Sequence, residues 1–216
     1  MTPQLLHPQF AQAAEEIAAT AHSLYNRGYS YGTAGNISVR VGDRVLVTPT
    51  GCSFGSLHAE QLALTDMSGQ VRGPNKPSKE LPFHLAAYAA RADIVAVVHL
   101  HSTHAVALSC LSDLDPRNAL PPLTPYFVMK CGRLPVAPYH RPGSPALAAE
   151  VMRLAPDHDA LLMANHGSII LGKSLFEAAS AAEELEEQCK IYFLLQGRGR
   201  PLSATDVAEL QAVFRR

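Results

Sequence analysis

His99 and His101 stand two residues apart at the end of the apolar, β-branched run 94–101. In a strand that spacing sends both imidazoles to one face. Two neutral imidazoles beside a third and a carboxylate form the ligand set of a Zn²⁺-type ion. Two such histidines can equally satisfy each other's hydrogen bonds. The third candidate is His166, where Asn165-His166-Gly167 interrupts two apolar runs. A tight turn, with Asn165 and Gly167 supplying backbone freedom, accounts for that triplet as well. Glu80 is the candidate carboxylate, in the first turn of a helix after Pro77-Ser78-Lys79. An acid there also stabilises the helix dipole. Together the four residues offer three nitrogens and one oxygen, a full set for a catalytic metal. His84, one turn beyond Glu80, is a candidate supporting partner, with packing inside the helix as the alternative, and His104 has similar standing past His101.

Three turns offer small residues, backbone N–H groups and hydroxyl or amide donors, the means of holding a phosphoryl dianion without a large basic patch. They are Gly32-Thr33-Ala34-Gly35-Asn36, Thr48-Pro49-Thr50-Gly51 and Pro77-Ser78-Lys79. Lys79 adds a full charge. There is no Walker A signature and no GxGxxG spacing, which disfavours nucleotide binding.

The elements that must position these residues alternate in type. The spacing predicts a helix from Phe10 to Asn26, with Ile17, Ala21, Leu24 and Tyr25 on one face and Gly28 as its stop. Extended segments follow at 36–40, 44–49 and 62–67. Ser78 is placed to cap a helix running to about Arg91. The run 94–101 has the character of a strand buried on both faces. Residues 128–139 contain another extended run, and 160–172 form two strands hinged at residues 165–167. A long helix spans Ser174 to Leu195, and Ser203 with Asp206 starts a short final one. Many connections are too short for βαβ crossovers. The expectation is one α/β domain over 1–216, a mixed and largely antiparallel sheet with helices on both faces.

The 216 residues carry 18 Lys+Arg against 19 Asp+Glu, a formal net charge of −1, and 47% are hydrophobic. That composition can build a sizeable core. It lacks the basic footprint of a nucleic-acid binder or a polybasic membrane anchor. Residues 1–20 show no basic start followed by an unbroken apolar stretch, so no secretory signal or membrane span is expected. Cys52, Cys110, Cys131 and Cys189 are scattered, without a CxxC pair. They are expected to be reduced thiols in a cytoplasmic protein. Of the ten histidines, His7, His22, His58 and His158 are expected at the surface.

The ordered motifs AGN (34–36), TPTG (48–51), PSKE (77–80), HLH (99–101) and NHG (165–167) resemble the class II aldolase family that includes L-fuculose-phosphate aldolase. The resemblance spans nearly the whole chain. It implies a three-layer α/β/α domain, a homotetramer with active sites between subunits, and one divalent metal per subunit, most commonly Zn²⁺. It makes His99, His101 and His166 metal ligands and Glu80 a metal-associated acid/base. Asn36, Thr50, Gly51 and Ser78 fall at phosphate-binding positions, and Tyr126 falls where the aldolases carry a tyrosine proton donor lent to the neighbouring subunit.

The family's epimerases carry Asp where this chain has Glu80 and an acidic residue in the loop where it reads Pro125-Tyr126-Phe127, so the chain departs from them at both places. The C-terminal tail lacks the tyrosine of fuculose-type aldolases. Ser78-Lys79-Glu80, with the segments at 99–111 and 124–132, looks like the 3-oxo-tetronate 4-phosphate decarboxylase branch. Such a substrate would lose CO₂ to leave an enediolate stabilised by the divalent ion. Protonation by Glu80 or Tyr126 would then give dihydroxyacetone phosphate. Lys79 could offset one of the substrate's negative charges. The alternative within the fold is an aldolase cleaving a sugar 1-phosphate to dihydroxyacetone phosphate and an aldehyde.

Overall fold

The run Ala96–Leu100 is buried at every position, and it forms the middle of a seven-stranded mixed sheet. The computed structural model describes residues 8–214, so the position expected for His7 lies outside the described residues. The strands are β1 (Asn36–Val41), β2 (Arg44–Val47), β3 (Ala63–Asp66), β4 (Ala96–Leu100), β5 (Val136–Ala137), β6 (Ala160–Met163) and β7 (Gly167–Gly172). The helices are α1 (Pro8–Asn26), α2 (Leu81–Ala90), α3 (Thr103–Ser109), α4 (Pro125–Lys130), α5 (Pro145–Leu154), α6 (Leu175–Leu195) and α7 (Ala204–Phe214).

The sheet order is β3-β2-β1-β4-β7-β6-β5, and every neighbouring pair is antiparallel except β5 with β6. That exception has a physical reason. α5 lies between the two strands and supplies the long crossover a parallel pair requires. Alternation along β4 divides the core. Val98 and Leu100 join Ile17, Leu24 and Leu185 beneath α1, α3, α4 and α6. Val97 joins Phe83, Tyr88, Val151 and Leu161 beneath α2 and α5. Helices therefore cover both faces, giving the expected three-layer α/β/α arrangement.

Local signals explain most of the boundaries. Ser174 Oγ accepts from the Glu177 amide at the start of α6, and Ser203 and Asp206 cap each other before α7. Four expectations need correction. The helix after Ser78 begins at Leu81, with Glu80 as its cap residue, because Ser78 Oγ holds the Glu80 amide in a turn of its own. Within 128–139, residues up to Lys130 are helical. Thr124 Oγ1 accepts from the Phe127 amide and Pro125 opens the turn, leaving only Val136–Ala137 as strand. Tyr25 lies at the edge of the α1 face, 36% exposed, whereas Ile17, Ala21 and Leu24 are fully buried. His22 is only half-exposed, and its Nε2 is shielded without a hydrogen-bond partner. α3 and α5 add to the helices read from the sequence. None of the four cysteines forms a disulfide among the described residues, and no helix among them is long and apolar enough to cross a membrane.

Candidate active site

The sheet register places the first two ligand candidates. Asn36 of β1 pairs with His99 of β4, and Leu100 pairs with Ser168 of β7. The chain enters β1 through Gly35 at φ +86°, where a Cβ would lie 2.7 Å from the His99 carbonyl oxygen, so only glycine permits this approach. His99 Nδ1–H donates to the Ser168 carbonyl at 2.7 Å, which leaves Nε2 with a bare lone pair. His101 lies just past the strand end, and its ring meets that of His99 edge-on at 4.7 Å between centroids.

The hinge at residues 165–167 is a tight turn and also presents a histidine. Asn165 takes φ +56° and Gly167 φ +152°. α3 supports the turn from behind, where the Ser109 carbonyl accepts from the Asn165 amide and Ser109 Oγ from the His166 amide. His166 thus comes to rest 4.8–5.0 Å, ring to ring, from His101 and His99. Glu80 arrives from the opposite layer at the head of α2.

The four side chains converge. Their ligand atoms all lie within 4.8 Å of one another, with His99 Nε2 2.8 Å from His101 Nε2 and 3.4 Å from Glu80 Oε2, and His166 Nε2 3.3 Å from Glu80 Oε1. Ligands at 2.0–2.2 Å from a tetrahedral ion stand about 3.4 Å apart, which the two edges to Glu80 match, while His99 Nε2 and His101 Nε2 stand at hydrogen-bond distance. The electrostatics agree. Burial, reinforced by neighbouring imidazoles, pushes His99 down to about 3 against the opposing influence of Glu80. Burial also pushes His101 down to about 4. Both are neutral lone-pair donors. Burial alone would raise the Glu80 pKa. The hydrogen bond from His166, charge interactions with His99 and His166, and the Asn36 amide outweigh it and hold the carboxyl well below the usual range. Glu80 is only 4% exposed, yet its Oε1 accepts no well-formed hydrogen bond. A buried, ionised, unsatisfied oxygen facing three imidazoles fits a divalent ion at their common centre.

The phosphate-type turns gather beside this cluster. An isolated bridge between Pro49 and Pro77 joins two of them, with the Thr50 amide donating to the Lys76 carbonyl and the Ser78 amide to that of Thr48. Thr50 and Gly51 are exposed, Gly51 at φ +72°, Ser78 is buried and Lys79 is exposed. Asn36 is bonded within the cluster: its Nδ2 donates to Glu80 Oε2 at 2.8 Å and its Oδ1 accepts from His84 Nε2. Tyr126 is 59% exposed on the first turn of α4 and takes no part in the hydrogen bonds of the cluster. A cavity of about 720 Å³ between Arg91, Lys130, Phe176 and Phe214 lies apart from these residues.

Sequence reasoning passed over two supports. Glu186 of α6 is buried and accepts from the His104 and Ala105 amides and from His104 Nδ1, capping α3 directly after His101. It is 82 residues from His104, so no local signal betrays it. Ser38 and Tyr88 extend the contacts of His84, which is buried at the centre of a polar chain. Their signal was present: Glu80, His84 and Tyr88 recur every fourth residue.

Residues 15–193 match the class II aldolase and adducin N-terminal domain. The 3-oxo-tetronate 4-phosphate decarboxylase of Haemophilus influenzae is 51% identical over 199 residues, 91% of this chain and 95% of its own. The L-fuculose phosphate aldolase of the same organism is 33% identical, over 94% of this chain and 93% of its own. Among solved structures, YgbL from Klebsiella pneumoniae superposes with a TM-score of 0.91 at 44% identity, covering 93% of this chain and 98% of that one. Fold, ordered motifs and relatives agree that the chain belongs to the class II aldolase family.

Proposed function

We propose that this chain is a carboxy-lyase that converts a 3-oxo-tetronate 4-phosphate into dihydroxyacetone phosphate and CO₂, acting as one class II aldolase-like domain over 1–216. The observation that carries the reading is the Glu80–His99–His101–His166 cluster in a chain 51% identical to a decarboxylase of that substrate. His99, His101, His166 and Glu80 would hold one divalent ion, for which Zn²⁺ suits three imidazoles and a carboxylate. When bound, the ion supplies Lewis acidity that lowers the cost of charge developing on the substrate's ketone oxygen.

The C1–C2 bond breaks, CO₂ leaves, and its electron pair becomes the C2–C3 double bond as the ketone takes up charge. C2 then needs a proton. Glu80 Oε1, 3.3 Å from His166 Nε2, can shuttle it; the Tyr126 hydroxyl is the second candidate, reaching a neighbouring subunit's site in a homotetramer. The Thr50 hydroxyl, the Gly51 backbone N–H, the Ser78 hydroxyl and the remaining Asn36 N–H face the phosphate in this reading, and Lys79 balances the carboxylate. Lys79 lies near enough to His101 for its charge to act on that ring. The partners are thus a small phosphorylated sugar acid and other copies of the chain, with neither nucleic acid nor membrane, and the compartment is the cytoplasm.

An aldolase acting on a sugar 1-phosphate is the second reading, favoured by the 33% identical relative. Incubation of the zinc-loaded protein with 3-oxo-tetronate 4-phosphates and, separately, with fuculose 1-phosphate distinguishes the two. The first reading predicts dihydroxyacetone phosphate from the acid with no aldehyde; an aldehyde from the sugar phosphate alone overturns it. Tyr126→Phe should slow formation of dihydroxyacetone phosphate at least tenfold without loss of bound metal, and unchanged turnover would remove Tyr126 from the mechanism.

A further inference from the structure

Two polar stripes face each other across the α2–β1 contact. Along α2 the stripe is its cap residue Glu80 followed by His84 and Tyr88, four residues apart, a rise of about 6 Å per helical step. On β1 it is Asn36, Ser38 and Arg40, two residues apart, about 6.6 Å per step. The near-equal rises keep the stripes in register, and hydrogen bonds link Asn36 and Ser38 to the facing stripe. Asn36 Nδ2 donates to Glu80 Oε2 at 2.8 Å; His84 Nε2 meets Asn36 Oδ1 at 2.5 Å; Ser38 Oγ lies 2.8 Å from His84 Nδ1 and 2.7 Å from the Tyr88 hydroxyl. The Arg40 guanidinium sits 5.7 Å from the Tyr88 ring centroid and closes the far end. Ser38 and His84 are fully buried and Tyr88 is 2% exposed.

One fact orients the whole chain. Asn36 turns its NH₂ toward Glu80 Oε2 and its carbonyl oxygen toward His84. His84 Nε2 must then carry hydrogen. A neutral His84, pushed by burial to about 3, leaves Nδ1 as an acceptor for the Ser38 hydroxyl, whose oxygen accepts from Tyr88. Burial raises the Tyr88 phenol, outweighing Ser38, Arg40 and the Val97 amide, and keeps it a donor.

We propose that Ser38, His84 and Tyr88 are positioning residues: they form a one-way hydrogen-bond relay that locks the Asn36 amide and aims Glu80 at the metal centre. Without His84 holding its carbonyl oxygen, Asn36 could rotate and present that oxygen to the carboxylate. The relay rests on the metal-centre reading of Glu80 and not on which substrate is decarboxylated, so failure of CO₂ release leaves it standing.

The test combines ¹⁵N NMR of the histidine side chains in the wild-type protein with zinc titration of Ser38→Ala, Ser38→Thr and Tyr88→Phe. The relay predicts that His84 carries its proton on Nε2 with Nδ1 bare and hydrogen-bonded. It also predicts that Ser38→Ala and Tyr88→Phe weaken zinc binding about tenfold while Ser38→Thr restores it, as outer-shell changes do elsewhere. Cooperative thermal melting controls for folding. If Ser38→Ala fails to fold, Tyr88→Phe, which removes one hydroxyl, carries the test. A proton on Nδ1 of His84, or zinc affinity within twofold of wild type in every variant that folds, overturns the proposal.

Discussion

Gly167→Ala is the substitution whose consequence can be worked most directly from the geometry. Gly167 has φ +152°, and a Cβ there would lie 2.4 Å from the Leu100 carbonyl oxygen and 3.4 Å from both Cα and Cδ2 of His101. A carbon–oxygen contact normally stands at about 3.3–3.6 Å, so the two backbones must separate by about 1 Å. Backbone strain contributes about 1–3 kcal/mol and overpacking another 1–3, for an expected loss of about 2–6 kcal/mol. Gly28→Ala is the control. Gly28 also has positive φ, +79°, but nothing lies within 4 Å of its Cβ position, so about 1–2 kcal/mol is expected. Both replacements restrict the unfolded chain alike, and that contribution cancels in the difference. Urea denaturation of both variants, with zinc titration, measures the effect. Because the clash falls between the segments bearing His101 and His166, zinc affinity should drop at least tenfold in Gly167→Ala and stay unchanged in Gly28→Ala. Equal stability within about 0.5 kcal/mol and equal zinc affinity would refute the packing argument.

Glu186→Ala should cost about 2–4 kcal/mol in chemical denaturation, since it strands the His104 and Ala105 amides; Glu186→Gln, which keeps an acceptor, should cost less. Arg27→Ala removes the bidentate pair with Glu183, whose side chains are 45% and 28% exposed, and should change stability by under about 1 kcal/mol. The Asp66 carboxyl is held below its ordinary value by the Ser68 hydroxyl first and then Arg72. Its folded pKa is depressed, so its contribution is present above the unfolded pKa of about 3.9 and lost as pH falls below it. Asp66→Asn should therefore flatten the decline of stability with pH between about 4 and 2, and an unchanged acid limb would contradict this. His101→Ala should abolish stoichiometric zinc binding by metal analysis while the protein still melts cooperatively.

The site was readable where chemistry and periodicity coincide. His99 and His101 share a face because a strand alternates, and His166 was visible because Asn and Gly around it break an apolar run. Glu80 was found as an acid near a helix start, although its place one residue before the helix depends on Ser78 Oγ taking its amide. What stayed hidden depends on tertiary contact. Nothing local indicates that Glu186 caps α3, or that the Asn36 side chain bonds Glu80 and His84. In the fold, Val128–Lys130 has the β-branched, apolar look of a strand, but the Thr124-Pro125 start decides for helix. That signal was present and was outweighed by composition. The pairing of Val136–Ala137 with β6 runs parallel because α5 intervenes, which a helix read at Pro145–Leu154 would have revealed.

The most direct test of the account is release of labelled CO₂ from a 3-oxo-tetronate 4-phosphate carrying ¹³C at C1, followed in zinc-loaded protein, after chelation, and after zinc is returned. Zinc-loaded protein should release one labelled CO₂ for each dihydroxyacetone phosphate formed, lose both on chelation and recover both with zinc. Release of CO₂ at an undiminished rate from chelated protein, or none from zinc-loaded protein with either stereoisomer, would contradict it.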